Sequence, residues 1–96
     1  MKESEIERKV TLYCESRGLL TYKFTSPSSR GVPDRIIIGH QAVLFLELKQ
    51  KGKRPTPLQM REINRINDEG GGFNVAAEWA DSVESAIRHI DQMFFP

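Results

Sequence analysis

The sequence lacks the features that mark several large classes of protein. It has a single cysteine, Cys14, so it can form no disulfide within the chain and no zinc site built from several thiolates. Its longest uninterrupted apolar run is five residues, at 42–46, whereas a membrane-spanning helix needs about 18 or more. Lysine and arginine number 14 against 13 aspartate and glutamate residues. The net charge is therefore close to zero, and any charged surface must arise from local clustering.

The beginning of the chain carries charged residues and no apolar stretch of the kind found in a signal peptide. Together with the single cysteine, this predicts a cytoplasmic protein that is not secreted. Hydrophobic residues make up 39% and charged residues 28% of the 96 positions, which are ordinary values for a globular protein. We therefore expect one domain spanning residues 1–96.

Periodicity and turn signals predict an α/β domain of order αβββαβα, with a mixed four-stranded sheet flanked by helices. Thr56 and Pro57 resemble the start of a helix, and Asp81 with Glu84 predicts a capping box for the last helix. The predicted helices cover residues 3–17 and 57–69 and a segment that follows residue 81, and the predicted strands cover residues 19–24, 34–39, 42–49 and 73–78.

The two central strands are predicted to form an antiparallel hairpin that turns at residues 40–41. A two-residue turn pairs Gly39 with Ala42, and the same register places Asp34 opposite Glu47. A slip of one residue would send Asp34 to the other face of the sheet, so the register itself is a prediction to be tested.

Two opposed carboxylates about 5 Å apart repel each other unless a cation lies between them. Asp34 and Glu47 therefore suggest a site for a hard divalent ion, Mg²⁺ or Mn²⁺. Lys49 lies two residues after Glu47 on the same strand face, where it could orient a water molecule or stabilise a phosphate. This set favours metal-assisted hydrolysis of a phosphodiester. The alternative is a strand end that emerges into solvent with an ordinary surface ion pair.

Basic residues cluster on either side of this proposed site. Three lie in the glycine- and proline-containing segment at 50–56, and two flank the turn at 31–34. Such clusters are often only solvated surface, but their position next to a metal site favours contact with phosphates. The predicted nucleic-acid contacts are Ser26, Arg30, Arg35, Lys51, Lys53 and Arg54.

These residues carry a family resemblance. Pro33 and Asp34, followed by Glu47-Leu48-Lys49 on the next strand, resemble the PD-(D/E)xK nuclease signature. The longer segments RGVPDR at 30–35, ELKQ at 47–50 and TPLQ at 56–59 resemble the VRR-NUC family within that superfamily. A more distant similarity is to archaeal Holliday-junction resolvases.

The resemblance implies a restriction-endonuclease-like core and a metal shell completed by a glutamate of the first helix. Glu7 is the expected glutamate and Glu3 is the alternative. The backbone carbonyl of Leu48 is an expected further ligand. Gln59 is expected near Lys49, although it could instead be a structural glutamine at a helix start. The implied metal ligands are Glu7, Asp34, Glu47 and Leu48, and the implied catalytic set is Glu7, Asp34, Glu47, Lys49 and Gln59.

The function expected from these features is a Mg²⁺- or Mn²⁺-dependent endonuclease that acts on DNA, in particular on branched DNA such as four-way junctions. The alternatives are a structure-specific nicking or repair nuclease and a non-catalytic DNA-binding module of the same fold. A structural protein in which all these residues coincide by chance ranks last. Neither a membrane nor a small-molecule substrate is expected, and the expected location is a bacterial cytoplasm or a virus-infected host cell.

A homodimer is also expected, because two symmetric cuts in a junction require two sites. The apolar residues assigned to its interface are Leu12, Leu20, Met93, Phe94 and Phe95.

Overall fold

The computed structural model describes all of residues 1–96 and has the predicted order αβββαβα. The helices are α1 (Glu3–Ser16), α2 (Pro57–Gly70) and α3 (Val83–Phe94), and the strands are β1 (Leu20–Lys23), β2 (Arg35–Gly39), β3 (Ala42–Leu48) and β4 (Val75–Ala80). None of the three helices is both long and apolar enough to cross a membrane.

The four strands form one mixed sheet in the order β1-β2-β3-β4. β1, β2 and β3 are antiparallel neighbours, and β4 runs parallel to β3 after the crossover through α2. His40 and Gln41 both have positive φ, which gives the tight hairpin turn between β2 and β3. Gly39 pairs with Ala42, as predicted. The α/β class and the mixed four-stranded sheet are thus confirmed.

The hydrophobic core lies between the sheet and the helices α1 and α3. Alternate residues of β3 point into it, and the helices contribute residues at helical spacing. The fully buried side chains of this layer include Ile6, Val10, Ile37, Leu44, Leu46, Leu48 and Ile90. α2 packs mainly against β4, where Asn67 exchanges two hydrogen bonds with the backbone of Ala77.

Two local predictions at the end of the chain are wrong. Ser82, not Asp81, caps α3, because its hydroxyl accepts a hydrogen bond from the Ser85 N–H at 3.1 Å. The last strand, β4, begins and ends two residues later than the predicted range 73–78 and therefore includes Trp79. A parallel strand carries no hairpin turn to fix its ends, which explains the shift.

The C-terminal aromatic residues do not form an exposed patch. Phe94 is buried in the core, and Phe95 is half-buried with its ring against His40 and under the Arg17 guanidinium. Of the apolar residues assigned to a dimer interface, Leu12 and Leu20 are the ones that remain exposed, at 54% and 56%.

Candidate active site

Asp34 and Glu47 meet at the end of the β2–β3 hairpin that lies opposite its turn. The last pair of the ladder is Arg35 with Leu46, so the next opposed pair is Asp34 with Glu47. The Leu48 N–H donates a hydrogen bond to Asp34 Oδ2 at 3.0 Å, which fixes the carboxylate toward β3. Pro33 is fully buried just before it and anchors the chain there. The two acidic residues that the hairpin register predicted to be opposed are therefore brought together.

Glu47 is a buried acid with incomplete pairing. The residue is 2% exposed, and its Oε2 lies 3.4 Å from Lys49 Nζ. Its Oε1 is buried and accepts no hydrogen bond. Burial, and then the negative charge of Asp34, raise the pKa of Glu47 to about 7, and Lys49 offsets only part of that rise. A buried carboxylate oxygen without a partner costs free energy, so the site is short of one positive or proton-donating group.

A divalent cation fits this deficit. No group of three or more histidine, cysteine, aspartate or glutamate side chains is arranged to hold a metal, so the side-chain donors are the two carboxylates of Asp34 and Glu47. One or two carboxylates, completed by water and backbone carbonyl oxygens, are the donor set that Mg²⁺ commonly takes. The same oxygens suit Mn²⁺, and none of them favours zinc.

The first helix offers two glutamates, and the structure separates them. Glu7 forms ion pairs with Arg35 at 3.3 Å and Lys23 at 3.4 Å, so two cations already balance the charge of its carboxylate. Glu3 is an exposed residue, and its carboxylate forms no ion pair. Partial loss of hydration, and then the charge of Asp34, raise the pKa of Glu3. The α1 glutamate whose pKa is raised in part by the charge of Asp34 is therefore Glu3, while the expected Glu7 forms ion pairs with Arg35 and Lys23.

Arg35 has a structural position that sequence reasoning did not anticipate. Its side chain is 11% exposed, and its guanidinium contacts both Glu7 and the Thr21 hydroxyl, the latter at 2.9 Å. It thereby links α1 to the first strand on the face opposite Asp34. A guanidinium held in this way is not free to bind a phosphate, unlike Arg30, which is exposed and has no ion-pair partner.

Gln59 belongs to the start of α2. Its Oε1 accepts a hydrogen bond from the Thr56 N–H at 2.9 Å, while the Thr56 hydroxyl accepts one from the Gln59 N–H at 3.2 Å. This reciprocal pair is a capping box. The Gln59 carbonyl oxygen is thus committed to the helix start, and only its amide group remains as a donor.

The loop before β2, which carries the predicted phosphate contacts Ser26 and Arg30, packs against the same helix start. Gly31 has a φ of 82°, and a Cβ atom there would lie 3.0 Å from the Leu58 carbonyl oxygen. Only glycine permits so close an approach. The turn that contains exposed Arg30 and half-buried Ser26 is thereby held next to the beginning of α2.

The three basic residues of the loop at 50–56 are all exposed. Lys51, Lys53 and Arg54 have no acidic ion-pair partner, and the Arg54 guanidinium lies 5.9 Å from the centre of the Trp79 ring. Trp79 is the β4 partner of Glu47, so this loop begins beside the acidic pair. Sequence reasoning missed the proximity of Trp79, because the register of parallel β4 against β3 leaves no local signal.

Known proteins resemble this chain in both sequence and fold. No family model matches the chain. A protein of Acyrthosiphon pisum secondary endosymbiont phage 1, named "Putative nuclease p44", is 39% identical over 67 residues, which are 69% of this chain and 72% of the phage protein.

Two solved structures share the fold. One, named "VRR_NUC domain", superposes with a TM-score of 0.83 at 22% identity and covers 98% of this chain and 99% of its own. A second, named "VRR_NUC domain protein", gives a TM-score of 0.79 at 20% identity, over 97% of this chain and 88% of its own. The phage relative shows that the chain belongs to the family of "Putative nuclease p44", and the two solved structures show that it has the fold of VRR_NUC domains, in agreement with the resemblance found in the sequence.

Proposed function

We propose that this protein is a divalent-metal-dependent endonuclease that hydrolyses DNA phosphodiesters, with branched DNA as its substrate. The observation that carries the proposal is the buried Glu47 carboxylate, whose Oε1 has no partner although Asp34 faces it. A protein gains nothing in stability from such a pair unless a cation binds between them.

Asp34 and Glu47 would hold Mg²⁺ or Mn²⁺, and the Leu48 carbonyl oxygen is the proposed backbone ligand on the same strand end. When bound, the ion would favour ionisation of a water molecule and offset the charge that develops on the phosphate. Glu3 is proposed to approach the same site from α1 in place of Glu7. The support for Glu3 is its coupling to the charge of Asp34, whereas Glu7 is paired with two cations.

Lys49 is proposed to act on the reacting groups. Its side chain is only 16% exposed and its Nζ lies beside Glu47, so the ammonium is held next to the acidic pair. From there it can orient the attacking water and stabilise the negative charge of the pentacoordinate phosphorus in the transition state. In the net reaction water adds to phosphorus, one P–O ester bond breaks, and the products are a hydroxyl and a phosphate monoester. Gln59 is proposed to assist only through its amide donor.

The substrate is proposed to lie across the exposed cations around this site. Exposed Arg30 lies in the turn that packs against the start of α2, and exposed Lys51, Lys53 and Arg54 lie in the loop that follows Lys49. Together they can bind phosphates next to the one that is cut, without a base-reading helix. This favours recognition of DNA shape over sequence.

Two-fold pairing of the chain would supply the two cuts that a four-way junction needs. Exposed Leu20 and Tyr22 lie on one face of the edge strand β1 and could be covered by a second copy. The buried position of Phe94 and the half-buried position of Phe95 favour the second candidate, a monomeric nuclease that makes single nicks. Light scattering at micromolar concentration decides between the two, since a dimer has twice the 11.0 kDa mass of one chain.

The test of the site compares two matched variants of α1. Glu3→Gln should lower the cleavage rate and weaken Mn²⁺ binding measured by calorimetry, because it removes a charge next to Asp34. Glu7→Gln should lower the melting temperature, because it leaves Arg35 without its partner, while Mn²⁺ binding stays close to wild type. If Mn²⁺ binds neither the wild type nor Glu7→Gln, the metal site is refuted.

A further inference from the structure

A backbone hydrogen bond ties the basic loop to the end of β4. The Gly52 N–H donates to Asp81 Oδ2 at 3.1 Å, across a sequence separation of 29 residues. Gly52 has a φ of 84°, and the Lys53 N–H closes a turn on the Gln50 carbonyl at 2.9 Å. The tip of the loop is therefore held by a single side chain from another element.

Asp81 is free to make this contact because it does not cap α3. The helix start is satisfied by the Ser82 hydroxyl, which bonds to Ser85. One residue earlier, the Ala80 carbonyl accepts a hydrogen bond from the Lys49 N–H at 2.8 Å. The side chain of Asp81 thus continues, beyond the sheet, the pairing between β4 and the chain that leaves β3.

A carboxylate in this position is unfavourable for a surface that binds a polyanion. Lys51, Lys53 and Arg54 carry three positive charges around the loop tip, and Asp81 removes one of them from the net charge there. The hydrogen bond that its carboxylate accepts from the Gly52 N–H is a stabilising contact that offsets this unfavourable charge. The Arg54 guanidinium, farther along the same loop, lies 5.9 Å from the centre of the Trp79 ring.

We propose that Asp81 is a positioning residue for DNA binding. By holding the Gly52 amide it keeps the loop ordered before DNA arrives, so that Lys51, Lys53 and Arg54 are presented to the phosphates next to the cleaved one. The inference rests on the proposed function, since it presumes that this loop contacts DNA. An ordered loop binds more tightly because less conformational entropy is lost on binding.

Three variants distinguish a positioning role of Asp81 from a purely electrostatic effect of its charge on DNA binding. Asp81→Ala removes the acceptor and one negative charge, Asp81→Asn removes the charge but keeps an acceptor oxygen, and Glu84→Ala removes a nearby exposed charge that makes no contact with the loop. If Asp81 were only a surface charge, all three changes would strengthen DNA binding slightly. If Asp81 positions the loop, Asp81→Ala must weaken it.

The measurement is the affinity for a fluorescent four-way junction in EDTA over a range of salt concentrations, with folding checked by circular dichroism. We expect roughly three- to ten-fold weaker binding for Asp81→Ala and binding at least as tight as wild type for Asp81→Asn and Glu84→Ala. Equal or tighter binding by Asp81→Ala would overturn the inference while leaving the proposed nuclease function intact. If the wild type bound no DNA at all, the proposed function and this inference would both fall.

A second measurement needs no variant. The Gly52 amide proton should exchange slowly with solvent in the wild type, because it is hydrogen-bonded although the residue itself is exposed. Exchange at the rate of a free amide would show that the tie does not form in solution, and it would overturn the inference even if Asp81→Ala failed to fold.

Discussion

Replacing Glu47 by glutamine should stabilise the metal-free protein at high pH. The variant keeps the size of the side chain but removes a buried negative charge that faces Asp34. In the wild type the folded state holds the Glu47 proton up to a pKa of about 7, against an ordinary value of 4.5. In that interval the folded state binds more protons than the unfolded state, so the free energy of unfolding falls as pH rises from about 4.5 to about 7.

The size of the effect follows from the pKa difference. Each pKa unit corresponds to about 1.4 kcal/mol, so ionising Glu47 in the folded protein costs up to about 3 kcal/mol. At pH 8 without metal, Glu47→Gln should therefore be more stable than wild type by about 1–3 kcal/mol. At pH 4 the difference should be small, because Glu47 is then protonated in both states.

The assay is urea unfolding followed by circular dichroism in EDTA at several pH values between 4 and 8. Added Mg²⁺ should stabilise the wild type at pH 8 but not the variant, because binding to the folded state raises stability. Glu69→Gln, an exposed residue without an ion-pair partner, is the matched control and should change stability by no more than about 0.5 kcal/mol. Lower stability of Glu47→Gln at pH 8, or an unchanged pH dependence, would show that Glu47 is not a buried acid facing Asp34 in the folded protein.

Three further outcomes are expected. Lys49→Ala should retain DNA binding in gel-shift assays but cleave about 10²- to 10³-fold more slowly. Cleavage at the normal rate would show that Lys49 has no catalytic role. Neutralising Lys51, Lys53 and Arg54 together should lower the salt dependence of DNA binding by a slope of about 0.9 for each lost phosphate contact, and an unchanged slope would show that they are only solvated. Burial raises the pKa of the Cys14 thiol to about 11, so it should react with a thiol reagent only after unfolding, whereas fast reaction of the folded protein would contradict its place in the core.

Local sequence signals were sufficient where the contact is between neighbours in the chain. The two-residue turn at 40–41 determined the register of β2 against β3, and this register alone brought Asp34 opposite Glu47. Thr56 and Pro57 likewise predicted the start of α2 to the residue.

The signals failed where distant segments compete for one side chain. Glu3 and Glu7 lie on one face of α1, and only the folded position of Arg35 shows that Glu7 is neutralised. Asp81 and Ser82 are both good caps, so sequence could not tell which of them α3 uses and which is left for Gly52. Such choices depend on tertiary contacts that no local pattern encodes.

Phe94 carries two competing signals. Its place at the end of the chain suggests an interface residue, whereas its helical spacing predicts the inward face of the last helix, and the structure buries it there, where α3 packs on α1 and the sheet. Its spacing from Ile90 on one helix face is the signal that outweighs its terminal position.

The most direct test of the central claim is a cleavage assay with wild type and Asp34→Ala on a matched set of four-way junction, flap, duplex and single-stranded DNA. We expect the wild type to cut in Mg²⁺ or Mn²⁺, most rapidly on the branched substrates, and to be inactive in EDTA. Asp34→Ala should bind the junction but leave it intact. Equal cleavage in EDTA, or cleavage by Asp34→Ala at the wild-type rate, would contradict the assignment of Asp34 and Glu47 as the metal-binding centre of a nuclease.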